Sequence, residues 1–119
     1  MEGQGLNQSG HLNVLWTSDN VVTAEKMVFM YTKNAIKYGW WDSITLIVWG
    51  AATALAATSQ QVQALIAEAQ EAGVKVSACK ECADQLAATD QLESMGVEVK
   101  YWGPPLTEIL KSGAHLLSV

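Results

Sequence analysis

Cys79 and Cys82 are the only cysteines of the chain, and they stand where the apolar run Val74-Lys75-Val76-Ser77-Ala78 gives way to helical spacing. A sulfur at such a junction meets the positive end of a helix dipole and unpaired backbone N–H groups, and both favour thiolate, the reactive form. Three chemistries are open to the pair. As a persulfide carrier or nucleophile, Cys79 needs room for an incoming sulfur and donors to hold an anion, and the helix start with Lys80 would supply those donors. As a dithiol redox centre, Cys79 would pair with Cys82, because a three-residue offset in a first helical turn brings the two Cα atoms within disulfide range. The Trp-Cys-Gly-Pro surroundings of thioredoxin-type sites are absent. As half of a metal site, the thiolates would need two further ligands. His11 and His115 are the chain's only histidines, so a zinc ion would have to bridge subunits. Neither a metal nor a cofactor is expected. Against all three stands the ordinary use of buried cysteine as a small hydrophobe, which is the expectation for Cys82 if it turns under the helix.

Other residues reach the same neighbourhood only if the fold gathers them. Leu12 to Thr17 reads as a buried strand that stops at Ser18-Asp19-Asn20, a set of good N-caps. From Val21 to Tyr38 the spacing is helical, with Met27, Met30, Tyr31, Ala35 and Tyr38 near one face and Glu25, Lys33 and Lys37 outside it. Ser43 to Trp49 is a continuous apolar run, as a strand covered on both faces requires. Gly50-Ala51-Ala52-Thr53 breaks it without the Gly-Lys-Ser/Thr ending of a P-loop, leaving room for an anion or a thiol-bearing partner. Thr58-Ser59 caps the clearest helix, where Val62, Leu65, Ile66 and Ala69 share a face and Gly73 closes the end.

Val74 to Ala78 is the third strand. Glu81 to Ala88 and Asp90 to Met95 read as helical, Val97 to Trp102 as a fourth strand, Leu106 to Lys111 as a short helix after the Gly103-Pro104-Pro105 turn, and Ala114 to Val119 as a fifth strand. Strand and helix alternate without a hairpin signal. The expectation is a three-layer α/β/α domain with a five-stranded parallel sheet, Rossmann-like and doubly wound. Right-handed crossovers then collect Asn20, Trp49, Gly50, Thr53, Cys79, Lys80, Cys82 and Trp102 at one edge of the sheet, the edge where open parallel sheets bind ligands. Trp49 and Trp102 would line a pocket or pack, whereas Trp40-Trp41, after the helix-ending Gly39, would cap the core or meet another subunit.

Composition bounds the partners. At 119 residues the chain is one domain, residues 11–119, behind a polar stretch of Gly, Gln, Asn and Ser over residues 1–10 that reads as a mobile tail. Half the residues are hydrophobic and 16% are charged, so the chain should be compact. Seven lysines, no arginine and a net charge of −5 make it a poor match to a phosphate backbone, so no nucleic-acid partner is expected. The longest apolar run, near residues 44–57, is interrupted by Thr45, Gly50 and Thr53, so no membrane span is expected. There is neither a secretory signal pattern nor a multi-bridge cysteine framework, which points to a reducing cytoplasm.

Four segments together carry a family resemblance: Leu-Trp-Thr-Ser-Asp-Asn, Val-Trp-Gly-Ala-Ala-Thr, Ala-Cys-Lys-Glu-Cys-Ala-Asp, and Tyr-Trp-Gly-Pro-Pro-Leu-Thr-Glu-Ile-Leu-Lys-Ser-Gly. In this order the chain resembles the DsrE-like (YchN-like) family over residues 11–119. The resemblance implies a five-stranded parallel sheet between helices and assembly into trimers, hexamers or dimers. It also implies a persulfide on the cysteine after the third strand, here Cys79, passed between a sulfur donor and an acceptor protein. The extra Cys82 departs from the sulfur-relay members. The expected function is sulfur handling at Cys79, with sulfurtransferase-like activity an open question and Cys82 a candidate resolving thiol. The alternatives are a non-catalytic ligand-binding or assembly module and a thiol–disulfide oxidoreductase using both cysteines.

Overall fold

The computed structural model describes residues 10–119, so nine of the ten residues of the expected N-terminal tail, 1–9, lie outside the described residues. The described chain folds into five strands: β1 (His11–Trp16), β2 (Ser43–Val48), β3 (Lys75–Cys79), β4 (Glu98–Lys100) and β5 (Leu116–Ser118). They form one sheet of order β4-β3-β2-β1-β5, and every pairing is parallel. The winding therefore runs outward from β1 to β4 and then jumps back across the sheet to place β5 on the other side of β1. The fold is the three-layer, doubly wound α/β/α arrangement.

Alternation along the strands builds two different cores. Leu12, Val14 and Trp16 of β1, Ile44, Leu46 and Val48 of β2, and Val76 and Ala78 of β3 face one way, into the larger apolar cluster. Residues one position on face the other way: Ile47 and Cys79 form a smaller cluster with Trp102, with Leu15 and Trp49 packed against it. The large cluster is roofed by three connecting segments. These are α1, a continuous helix over residues 21–37, α2 (Ala51–Thr58) with α3 (Gln60–Ala72), and the short helices α4 (Lys80–Gln85) and α5 (Thr89–Ser94). Successive right-handed crossovers in one direction put all of these on one face. The return crossover, α6 (Gly103–Ser112), lies on the opposite face, where its Ile109 meets the small cluster.

The caps follow local chemistry. Asn20 caps α1, its side-chain oxygen accepting the Thr23 amide at 2.9 Å, and Ser59 caps α3 by accepting the Val62 amide at 3.2 Å. Gly73 and Gly113 close α3 and α6 in the left-handed conformation.

Several expectations are corrected. In α1 the buried residues are Ala24, Val28, Phe29, Thr32 and Ala35, whereas Met27, Met30 and Tyr38 are exposed. Large side chains marked the flank of this helix; small ones let it lie close to the sheet. A π-helical stretch over Ala24–Phe29 widens the turn and brings Phe29 under the same face as Ala24. Phe29 then meets the Trp16 ring edge-on, with centroids 5.3 Å apart. The Gly103-Pro104-Pro105 segment is not a turn ahead of α6 but its first turn, since proline lacks the N–H that would go unpaired there. Strand β3 begins and ends one residue later than its apolar run, which makes Cys79 the last residue of the strand. Gly10 is held too: its carbonyl accepts the amides of Asp42 and Ser43.

Candidate functional site

Parallel β3 carries Lys75, Ser77 and Cys79 on the face turned toward α6. Cys79 is both the end of β3 and the N-cap residue of α4, although its side chain makes no capping hydrogen bond. Only 4% of Cys79 is exposed, and it packs with Ile47 and Trp102. Cys82, in the first turn of α4, is half-buried against the same cluster. The two sulfurs therefore lie side by side beneath a strand-to-helix junction, both free thiols.

The indole of Trp102 closes the cluster and is itself held. Its Nε1–H donates to Ser77 Oγ at 2.8 Å, and Ser77 Oγ lies 3.0 Å from both the backbone oxygen and the carboxylate of Glu98. The Lys100 ammonium sits 4.7 Å from the centre of the indole. Burial works against ionisation of Glu98. The Ser77 hydroxyl and the ammonium groups of Lys100 and Lys75 outweigh it and hold the carboxyl below its usual range. Ser77 was not among the residues singled out by the sequence. Its signal is the strand period of two, which puts position 77 on the same face as position 79.

Gly50 reaches the site from the next strand. It is the N-cap residue of α2 with φ 62° and ψ −137°, a backbone region open only to glycine at ordinary cost. In this conformation its backbone amide lies against the Cys82 sulfur. Burial pushes the Cys82 thiol up, the Gly50 amide draws it down, and the neighbouring Cys79 and Glu81 push it up again. The net direction is upward. At Cys82, in the first turn of α4, burial thus outweighs the pull of the Gly50 amide and favours the thiol.

Of the other expected site residues, Trp49 and Trp102 join the two cysteines, and Gly50 joins through Cys82. Lys80 does not. Its ammonium pairs with Asp84 at 3.1 Å on the outer side of α4 and lies near the Tyr101 ring, and the hydrogen bond and charge of Asp84 raise its pKa. Asn20 spends its side-chain oxygen on the cap of α1. Thr53 is fully buried in α2, and its hydroxyl has no hydrogen-bond partner among the described residues. His11 starts β1, at the opposite edge of the sheet from the cysteines, where its ring lies 2.7 Å from Ser43 Oγ and 3.2 Å from Asn13 Oδ1. Among the described residues, no three His, Cys, Asp or Glu side chains gather as a metal site would need. No helix among them is long and apolar enough to cross a membrane.

Chemically, the arrangement offers two adjacent thiols in an apolar cluster, one screened and one half-buried, with a backbone amide beside the less screened sulfur. Neither a protein-family model nor a curated protein matches the chain. Among solved structures, it is similar to a conserved protein of unknown function from Bacteroides thetaiotaomicron (BT1422), with 37% sequence identity and a TM-score of 0.94. That similarity covers 98% of this chain and 100% of the other. The chain belongs to the same family as this Bacteroides protein.

Proposed function

We propose that the chain is a DsrE-like sulfur-handling protein of the cytoplasm that takes sulfane sulfur from a donor as a persulfide on its Cys79–Cys82 pair. The observation that carries this reading is the placement of both thiols in one apolar cluster at the carboxyl edge of a parallel sheet. Purely structural cysteines have no need of a second thiol at their side. Assembly into a homo-oligomer belongs to the same reading, as does a sulfur donor or acceptor protein as partner.

Intact-mass measurement after incubation with a low-molecular persulfide tests it. The wild type should gain sulfur or show oxidised cysteines, and the Cys79→Ser/Cys82→Ser double variant should show neither. The native mass of the same preparation should be a small multiple of the chain mass. A wild type whose mass and thiol content match those of the untreated protein would contradict the reading.

A second reading, a thiol–disulfide oxidoreductase, is favoured by the contact between the two sulfurs. It requires a bridge that forms and reopens without any sulfur transfer.

A further inference from the structure

Resting on the sulfur-handling reading, we propose that Cys82 is the entry sulfur and Cys79 the resolving one, so that a persulfide formed on Cys82 collapses to a Cys79–Cys82 disulfide and releases sulfide. This inverts the roles expected from the order of the two residues in the sequence.

Access decides which sulfur reacts first. Cys79 is 4% exposed and is closed over by Ile47 and Trp102. The Trp102 indole is not free to swing, being anchored through Nε1 to Ser77 Oγ and flanked by Lys100. A donor persulfide must approach its target sulfur in line with the bond that breaks, and the closed side of the cluster leaves no such path to Cys79. Cys82 lies on the same cluster but is only half-buried, with the Gly50 amide beside its sulfur. The residue that the donor can reach is therefore Cys82. Cys79 cannot meet a bulky donor, yet it lies next to whatever forms on Cys82.

The steps balance. The Cys82 thiolate attacks the outer sulfur of a donor persulfide R–S–SH; the donor S–S bond breaks, R–SH leaves, and Cys82 carries –S–SH. The Cys79 thiolate then attacks the Cys82 Sγ; the Cys82 S–S bond breaks and HS⁻ leaves. The sulfane sulfur gains two electrons, and the two cysteine sulfurs lose one each as they join. The three-residue offset at the first turn of α4 is one that a disulfide spans. Return to the dithiol needs a dithiol reductant, which takes up the disulfide by exchange.

The test uses glutathione persulfide with the wild type, Cys79→Ala, Cys79→Ser and Cys82→Ser. It reads free sulfide, intact mass and remaining thiols. In the wild type we expect about one sulfide per chain, with loss of both thiols and a mass lower by two hydrogens. Both Cys79 variants should keep one added sulfur, mapped to the peptide holding Cys82, and should release no sulfide above the blank. Cys82→Ser should do neither. Cys79→Ala keeps a small apolar group in the cluster, so it guards against misfolding caused by a buried hydroxyl. A stable wild-type persulfide without sulfide release overturns the proposal. So does sulfur uptake by Cys82→Ser that both Cys79 variants lack. If the wild type neither gains sulfur nor releases sulfide, the sulfur-handling reading itself fails.

Discussion

Cys82 carries a charge balance that can be read out in the stability of the protein. Burial and the neighbouring Cys79 thiol raise its pKa in the folded state, against the pull of the Gly50 amide. A folded thiol that resists ionisation binds its proton more tightly than the unfolded one. Its contribution to stability is therefore complete below the unfolded thiol pKa and is lost as pH climbs through the folded value. Urea unfolding followed from neutral to alkaline pH should show a falling midpoint in the wild type. In Cys82→Ser that fall should be shallower; an identical slope in both would contradict the balance described. How much of this was legible beforehand differs by residue. The pairing of Cys79 with Cys82 and the arrival of Trp49, Gly50 and Trp102 follow from where strands end. The role of Lys80 does not, because Asp84, one helical turn on, captures it. The shielding of Cys79 was equally hidden. It depends on Trp102, two residues past the end of β4, being fixed by Ser77.

At the scale of elements, the segment from Gly50 to Thr53 shows how one turn serves two purposes. Gly50 adopts a glycine-only conformation that starts α2 and turns its amide toward Cys82. Thr53, three residues on, buries a hydroxyl with no partner among the described residues. An unpaired buried hydroxyl costs stability that a methyl of the same shape does not. Thr53→Val should accordingly raise the unfolding free energy by about 1 kcal/mol in chemical denaturation and leave sulfur uptake unchanged. A destabilised variant, or one that no longer takes up sulfur, would return Thr53 to the site that its sequence position suggests. Helix existence was readable because caps such as Asn20 and Ser59 announce themselves. The buried face of α1 was not, since a stripe of Ala, Thr and Val is quieter than flanking Met and Tyr. The π-helical stretch that seats Phe29 leaves no periodic mark in so short a window.

For the molecule as a whole, strand order decides where the cysteine cluster lies. The winding reverses between β1 and β5, the place where open sheets of this kind commonly hold a ligand. Here that point is knitted shut: the Thr17 amide and hydroxyl both donate to the Val119 carbonyl, at 2.8 and 3.1 Å, and the Val119 amide donates to Leu15. The cysteines instead sit beyond β2, at the carboxyl end of β3, on the face that α6 crosses. The alternation of strands and helices made the parallel sheet readable, but not this order. The place of β5 is fixed by a crossover whose length alone does not say how many strands it passes. Entry of sulfur therefore rests on a division between two neighbouring sulfurs, one half-buried and one screened by Trp102. Time-resolved alkylation of the native protein with iodoacetamide at mildly alkaline pH, with the label mapped by peptide mass spectrometry, addresses it most directly. Label should appear on Cys82 well before Cys79, and Trp102→Ala should bring the two rates together. Cys79 labelled first, or both cysteines labelled at one rate in the wild type, would contradict the account.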